Sequence, residues 1–302
     1  MARAAKPSGG SRPPGSSKKK TTPVRKTPRP WYLSWYFWLA ILVVVGLIVW
    51  RLLPSPGVSP DDGAPRAAIV DQLYSFGYPN SSFIETITAS LEGDGFKVDL
   101  YQGEDVTTVS TYKNILADNY SVVIFRAHSG LIQTPGEPMR ISIFTSEEYS
   151  AMASSCSSDV AAGRLVKARV SDGDPFYFAI TSDFVEHYMS GMKNSVVILS
   201  GCSGLLPSNT DMAEAFFNNG AGAYLGWNGS VDLSYVDRAT TAFFEVFCSG
   251  ELTLAKAVDE VMKEVGGDPH WGSHLGYFPE GVGEKTLYQL CGIASSVVGQ
   301  RE

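Results

Sequence analysis

No acidic residue occurs in the first 51 positions of the chain, and cysteine is scarce, with four in 302 residues. Four cysteines, Cys156, Cys202, Cys248 and Cys291, are too few for a disulfide scaffold. They also lack the C-x-x-C spacing of a structural zinc site. With Cys202 kept as a free thiol, the other three allow at most one internal disulfide. The absence of acid at the start leaves nine Lys and Arg in residues 1–30 unopposed, among many Pro, Ser and Gly. Such a stretch buries too little apolar surface to offset its ordering entropy, so residues 1–30 read as a disordered basic tail.

Charge of either sign is then missing from Trp31 to Trp50. At 1.5 Å per residue, a helix of about twenty residues spans roughly 30 Å of hydrocarbon. Trp and Tyr at its ends suit a bilayer interface. The run exceeds the apolar stretch of a signal peptide, and no small-x-small cleavage site follows it. Residues 31–53 are therefore expected to form a transmembrane helix in contact with lipid, followed by a Pro/Gly-rich linker over 54–66. The basic cluster before the span predicts a cytoplasmic N-terminus and an outward-facing domain, single-pass in the cell membrane.

Basic residues are in turn scarce in that domain. After the tail and Arg51 are set aside, 14 of them face all 31 acids, a formal charge of −17. This disfavours nucleic acid and anionic lipid as partners of the domain, and is compatible with cationic substrates or bound Ca²⁺. No other cofactor is indicated. Residues 67–302 suffice for one large domain with a sizeable core.

Apolar runs here alternate with amphipathic stretches, the pattern of a mostly parallel sheet covered on both faces, a three-layer α/β/α sandwich. Predicted strands are 67–70, 96–100, 122–125, 196–199 and 223–227, with a last one near 275–278. Helices are signalled by Phe83, Ile84, Ile87 and Leu91, by Val109, Tyr112 and Leu116, near Asp211, and over 235–265 with a break at Ser249-Gly250. Residues 131–190 read instead as a β-rich insertion, with strand candidates at 140–144, 165–170 and 176–180.

Two of the buried strands run straight into reactive residues. Val122-Val123-Ile124-Phe125 leads to Arg126-Ala127-His128-Ser129-Gly130, and Val196-Val197-Ile198-Leu199 leads to Ser200-Gly201-Cys202-Ser203-Gly204. Functional groups collect beyond the carboxyl ends of strands in such sheets, and neighbouring strands lie about 4.8 Å apart. A thiol of ordinary pKa about 8.5 needs a base or a positive field, which an adjacent imidazole supplies. Taken singly, each residue is more simply a core thiol or a loop histidine, and it is the pair that points to nucleophilic catalysis. The small residues beside Cys202 permit close approach of a substrate backbone and an oxyanion hole. Its donors are the Cys202 N–H with the N–H of Ser129 or Gly130.

A hydrophobic strand ending in His and a second ending in small-Cys-small resemble the caspase-like cysteine peptidases. This family includes caspases, legumain, gingipains, clostripain and separase. The resemblance covers 122–130 and 196–204, with strand order fitting over 67–265. It departs where Ser129 stands in place of the usual glycine after the histidine. It implies the caspase-haemoglobinase fold, a Cys202–His128 dyad with no required third acid, an acyl-enzyme intermediate, and hydrolysis of peptide or protein substrates. In clostripain-like and gingipain-like relatives a carboxylate near the primary pocket pairs with Arg or Lys, and Asp232, some thirty residues after the cysteine, is placed similarly. An ordinary helix cap explains Asp232 equally well. Asp71, at the end of the first strand, is a second substrate-binding candidate, with helix entry as its alternative. His270 and His274, four apart, carry no metal assignment. Two further classes stay open, a catalytically silent binding or sensor module and a transpeptidase using the same acyl-enzyme.

Overall fold

The computed structural model describes residues 38–39, 41–43, 63–133, 139–149, 154–248 and 250–293. The chain divides into two compact units, 1–61 and 62–302. In the first, residues 38, 39 and 41–43 are helical. No helix among the described residues is long and apolar enough to cross a membrane. The expected tail, most of the expected 31–53 span and most of the 54–66 linker lie outside the described residues.

The second unit begins with β1 (Arg66–Asp71), α1 (Ser81–Gly93), β2 (Lys97–Gln102), α2 (Val109–Ala117) and β3 (Val122–Arg126). Next come β4 (Ser129–Ile132), β5 (Arg140–Glu148), α3 (Ser157–Ala161), β6 (Leu165–Ala168), β7 (Tyr177–Ile180) and α4 (Ser182–Tyr188). The chain then forms β8 (Val196–Ser200), α5 (Asp211–Asn218), β9 (Ala223–Trp227), α6 (Leu233–Phe247), α7 (Leu254–Val265), β10 (Leu275–Phe278) and α8 (Leu287–Leu290).

Six strands make the main sheet, in the order β10-β9-β8-β3-β1-β2. All neighbours are parallel except β10, which runs antiparallel to β9. The fold is thus α/β with a mixed, mostly parallel sheet. Alternation of side chains divides each central strand between two cores. Ala67, Ile69, Val122, Ile124, Val196, Ile198 and Leu225 face one core with residues of α1, α6 and α7. Ala68, Val70, Val123, Phe125, Val197, Leu199 and Tyr224 face the other, with residues of α2, α4 and α5. Both faces are covered, which is why the strands read as unbroken apolar runs rather than alternating ones.

The β-rich insertion is a separate four-stranded antiparallel sheet, β4-β5-β7-β6. It starts at Ser129, two residues earlier than the sequence suggests, because Ser129 and Gly130 already pair with Ile143 and Ser142. The second sheet therefore leaves directly from His128 and holds that residue from behind.

Candidate active site

In the ladder between β3 and β8, Arg126 stands opposite Ser200. His128 and Cys202 each lie two residues further on, in the loops that follow these adjacent strands. The ladder is extended by Ala127 N–H donating to Ser200 O at 3.3 Å. The structure thus brings the two loops together, while the His128 ring packs against Phe76, Tyr78 and Phe144 and Cys202 Sγ meets Val231 O, with no hydrogen bond between the two side chains among the described residues.

Each loop is held by its backbone. His128 N–H donates to Gln72 Oε1 at 3.0 Å, and His128 O accepts from Phe144 N–H at 2.9 Å. Gln72 itself follows β1 and donates to Thr145 O at 3.4 Å. On the cysteine side, Ser203 N–H reaches Gly229 O at 2.8 Å and Leu205 N–H reaches Trp227 O at 2.9 Å. Ser203 adopts a left-handed conformation with φ of 59°, which is uncommon for a residue with a side chain and turns the chain sharply after Cys202. Gly201 is required by proximity: a Cβ there would lie 2.3 Å from Ala127 O and 2.5 Å from Ser129 Oγ. The Ser129 hydroxyl donates to Cys202 O at 2.7 Å and ties the two loops together.

The backbone N–H groups beside His128 and Cys202 can be separated by ladder alternation. Since Phe144 N–H bonds His128 O and Ser129 and Gly130 face Ile143 and Ser142, the next hydrogen-bonded pair is Gly130 with Ser142. Gly130 N–H is committed to β5, whereas Ser129 N–H turns the other way. Cys202 N–H has no acceptor among the described residues. The available pair is Cys202 N–H with Ser129 N–H.

Burial favours the uncharged form of both side chains. Burial among Phe76, Tyr78 and Phe144, whose rings lie 5.1, 6.2 and 6.1 Å from the imidazole, lowers the His128 pKa to about 4, with the Arg126 cation adding to the effect. His128 Nε2 is buried and has no hydrogen-bond partner among the described residues. Burial also raises the Cys202 thiol, and the Asp268 carboxylate pushes it further in the same direction. The thiol donates weakly to Val231 O at 3.7 Å. A buried polar atom left unpaired is costly, and His128 Nε2 shares this condition with Ser75 Oγ, Tyr224 Oη, Trp227 Nε1 and Thr253 Oγ1.

A groove of about 490 Å³ is lined by Gly77, Tyr78, Pro79, Asn80, Arg126, Asp232, Leu233, Ser234 and Asp237, and reaches His128 only through Tyr78, whose ring lies 6.2 Å from the imidazole. Its floor is an ion network that the sequence did not reveal. Arg126, 1% exposed, donates from Nε and Nη2 to the two oxygens of Asp237 at 2.8 Å and from Nη1 to Asp71 at 2.7 Å and Tyr78 O at 3.0 Å. Asp71 is fully buried, and its carboxylate also accepts from Gln102 and from Tyr74 N–H. Its surroundings give it the role of holding Arg126, with no exposed surface to offer a substrate. One arginine within an otherwise apolar strand was the available signal, since a buried guanidinium needs carboxylate partners.

Asp232 sits at the N-cap of α6, but its side chain makes no capping bond. Instead it reaches out to His270 Nδ1, while Asp232 N–H donates to Asp268 at 2.7 Å. All four cysteines are free, and Cys156, Cys248 and Cys291 are buried, so Cys202 alone is partly open. No model of a known protein family matches the chain, and no curated protein matches it.

Proposed function

We propose that the chain is a caspase-like cysteine peptidase in which Cys202 attacks the scissile carbonyl and His128 carries the proton to the leaving amine. The observation that carries this reading is the register of β3 against β8, which puts both residues two positions beyond paired strand ends. In the resting state the proton is on sulfur. Attack transfers it to the unpaired imidazole nitrogen as the C–S bond forms, and the developing oxyanion is met by Cys202 N–H and Ser129 N–H. Collapse breaks the C–N bond as the imidazolium protonates the amine. Water, deprotonated by the same imidazole, then hydrolyses the thioester.

Primary specificity is for a basic residue. Asp71 and Asp237 together outweigh Arg126 by one formal negative charge beneath the groove, and Asp232 adds a half-exposed carboxylate at its rim. On composition alone, the peptidase is anchored through residues 31–53 with its domain facing outward. Cleavage of a peptide library by the wild type, Cys202→Ala and Asp232→Ala tests the reading. Cleavage after Arg or Lys that disappears with Cys202→Ala, and loses its basic preference with Asp232→Ala, supports it. Undiminished turnover by Cys202→Ala overturns the peptidase, and an unchanged preference in Asp232→Ala overturns the specificity.

A further inference from the structure

The loop after β9 and the loop before β10 meet edge to edge, since Trp227 pairs with Leu275 and Asn228 N–H donates to His274 O at 3.1 Å. Where they meet, Asp232, Asp268 and His270 each offer one ligand atom, all within 4.8 Å of one another. We propose that these three side chains form a binding site for a divalent transition-metal ion, with Zn²⁺ best suited to the donor set.

Three features support a site over a chance cluster. The first is preorganisation. Asp268, 3% exposed, is oriented by backbone N–H groups of His270 and Trp271 on Oδ1 and of Asp232 on Oδ2. These bonds act as the outer-shell contacts that orient a metal-binding carboxylate. Two of the four lone-pair positions are filled on Oδ1 and one on Oδ2, so one position on Oδ2 stays open. The second is convergence, because His270 Nδ1 and Asp232 Oδ2 already point at one another, so the two donor atoms meet without rearrangement of either loop. The third is charge, because two carboxylates and a neutral imidazole balance a dication. Imidazole selects Zn²⁺ and its neighbours over Ca²⁺ and Mg²⁺, which prefer oxygen alone. Three protein ligands leave a coordination position for water.

An ion here covers Asp232. On the peptidase reading above, it then competes with the basic side chain of the substrate, so bound metal inhibits reversibly. The site itself does not depend on that reading.

Titration of the tag-free full chain with Zn²⁺ by calorimetry, and with Co²⁺ by visible absorption, tests the site directly. A single equivalent is expected to bind the wild type and Cys202→Ala with equal affinity. His270→Ala, which alters an exposed side chain, and Asp232→Asn should each weaken binding by about tenfold or more. Absence of binding, equal affinity in His270→Ala, or a thiolate-to-cobalt charge-transfer band that vanishes with Cys202→Ala would each overturn the proposal. The last outcome would place the metal on the nucleophile. A chain that binds metal at His270 but cleaves no peptide would retain this site and refute only the peptidase.

Discussion

Arg126 and His128 are two residues apart on one strand end, as are Ser200 and Cys202 on its neighbour, yet the pairs differ in kind. Arg126 is buried and bonded to two carboxylates and a carbonyl, and Ser200 Oγ meets Thr240 at 3.0 Å. His128 Nε2 has no partner among the described residues, and Cys202 Sγ has one weak contact. The inner level satisfies its polar groups and fixes the strand ends. The outer level leaves its reactive atoms unspent. The comparison teaches that satisfied and unsatisfied polar groups are separated here by two residues along each chain, and that, on the proposed function, variants at the two levels should fail differently.

The largest effect is expected at the outer level. Cys202→Ala and His128→Ala should each lower kcat/KM by about 10⁴-fold or more, near 5.5 kcal/mol of barrier, while the double variant is no worse than either single one. Thermal unfolding should stay close to wild type in Cys202→Ala. If that variant instead unfolds, the cysteine belongs to the scaffold and the separation of levels fails.

At the inner level the order reverses. Arg126→Ala leaves the Asp71 and Asp237 carboxylates without their buried cation, and breaking such a network costs about 3–5 kcal/mol. Chemical denaturation of the full chain measures it. A loss below about 1 kcal/mol would show that water reaches the network and that Arg126 is no support.

A smaller effect concerns protonation. His128 has a folded pKa near 4, below its ordinary value of 6.5, so the unfolded chain binds more protons between those limits. Stability should therefore rise with pH across that window, by the order of 2–3 kcal/mol from this group. His128→Ala should flatten the slope. The acid limb of kcat/KM should fall near pH 4 rather than near 6.5, because only the neutral imidazole accepts the thiol proton. An acid limb near 6.5 in the wild type would mean that His128 is solvated.

The smallest expected effect is at Ser129. Ser129→Ala removes the hydroxyl bond to Cys202 O and should cost about 1 kcal/mol of stability. It keeps the outward N–H, so kcat should change less than tenfold. A collapse of kcat with unchanged stability would instead show that the hydroxyl itself takes part in the reaction.

The sequence made the inner strands legible for one reason, that continuous apolar runs mark strands buried on both faces. Val122 to Phe125 and Val196 to Leu199 announce both strands and the residues that follow them, and Ala223 to Trp227 is recovered whole as β9. The network under the groove was not legible. Asp237 lies 111 positions from Arg126, and its spacing on α6 matches any half-buried polar position. Gln72, which holds the His128 backbone, is likewise visible only once β1 and β3 are paired. From the sequence alone, Asp232 fits a helix cap and a specificity residue equally well. Its place at the N-cap without a capping bond depends on the loop that brings His270 to it, a long-range contact with no local signature.

The central claim is that Cys202 alone among four thiols is a nucleophile, and that His128 makes it one. Incubating the full chain with a peptidyl acyloxymethyl ketone ending in arginine, then mapping the adduct by mass spectrometry, tests both halves together. The account predicts a single adduct on Cys202 that His128→Ala slows by at least about a hundredfold. Labelling of Cys156, Cys248 or Cys291, or labelling of Cys202 at the same rate without His128, would contradict it.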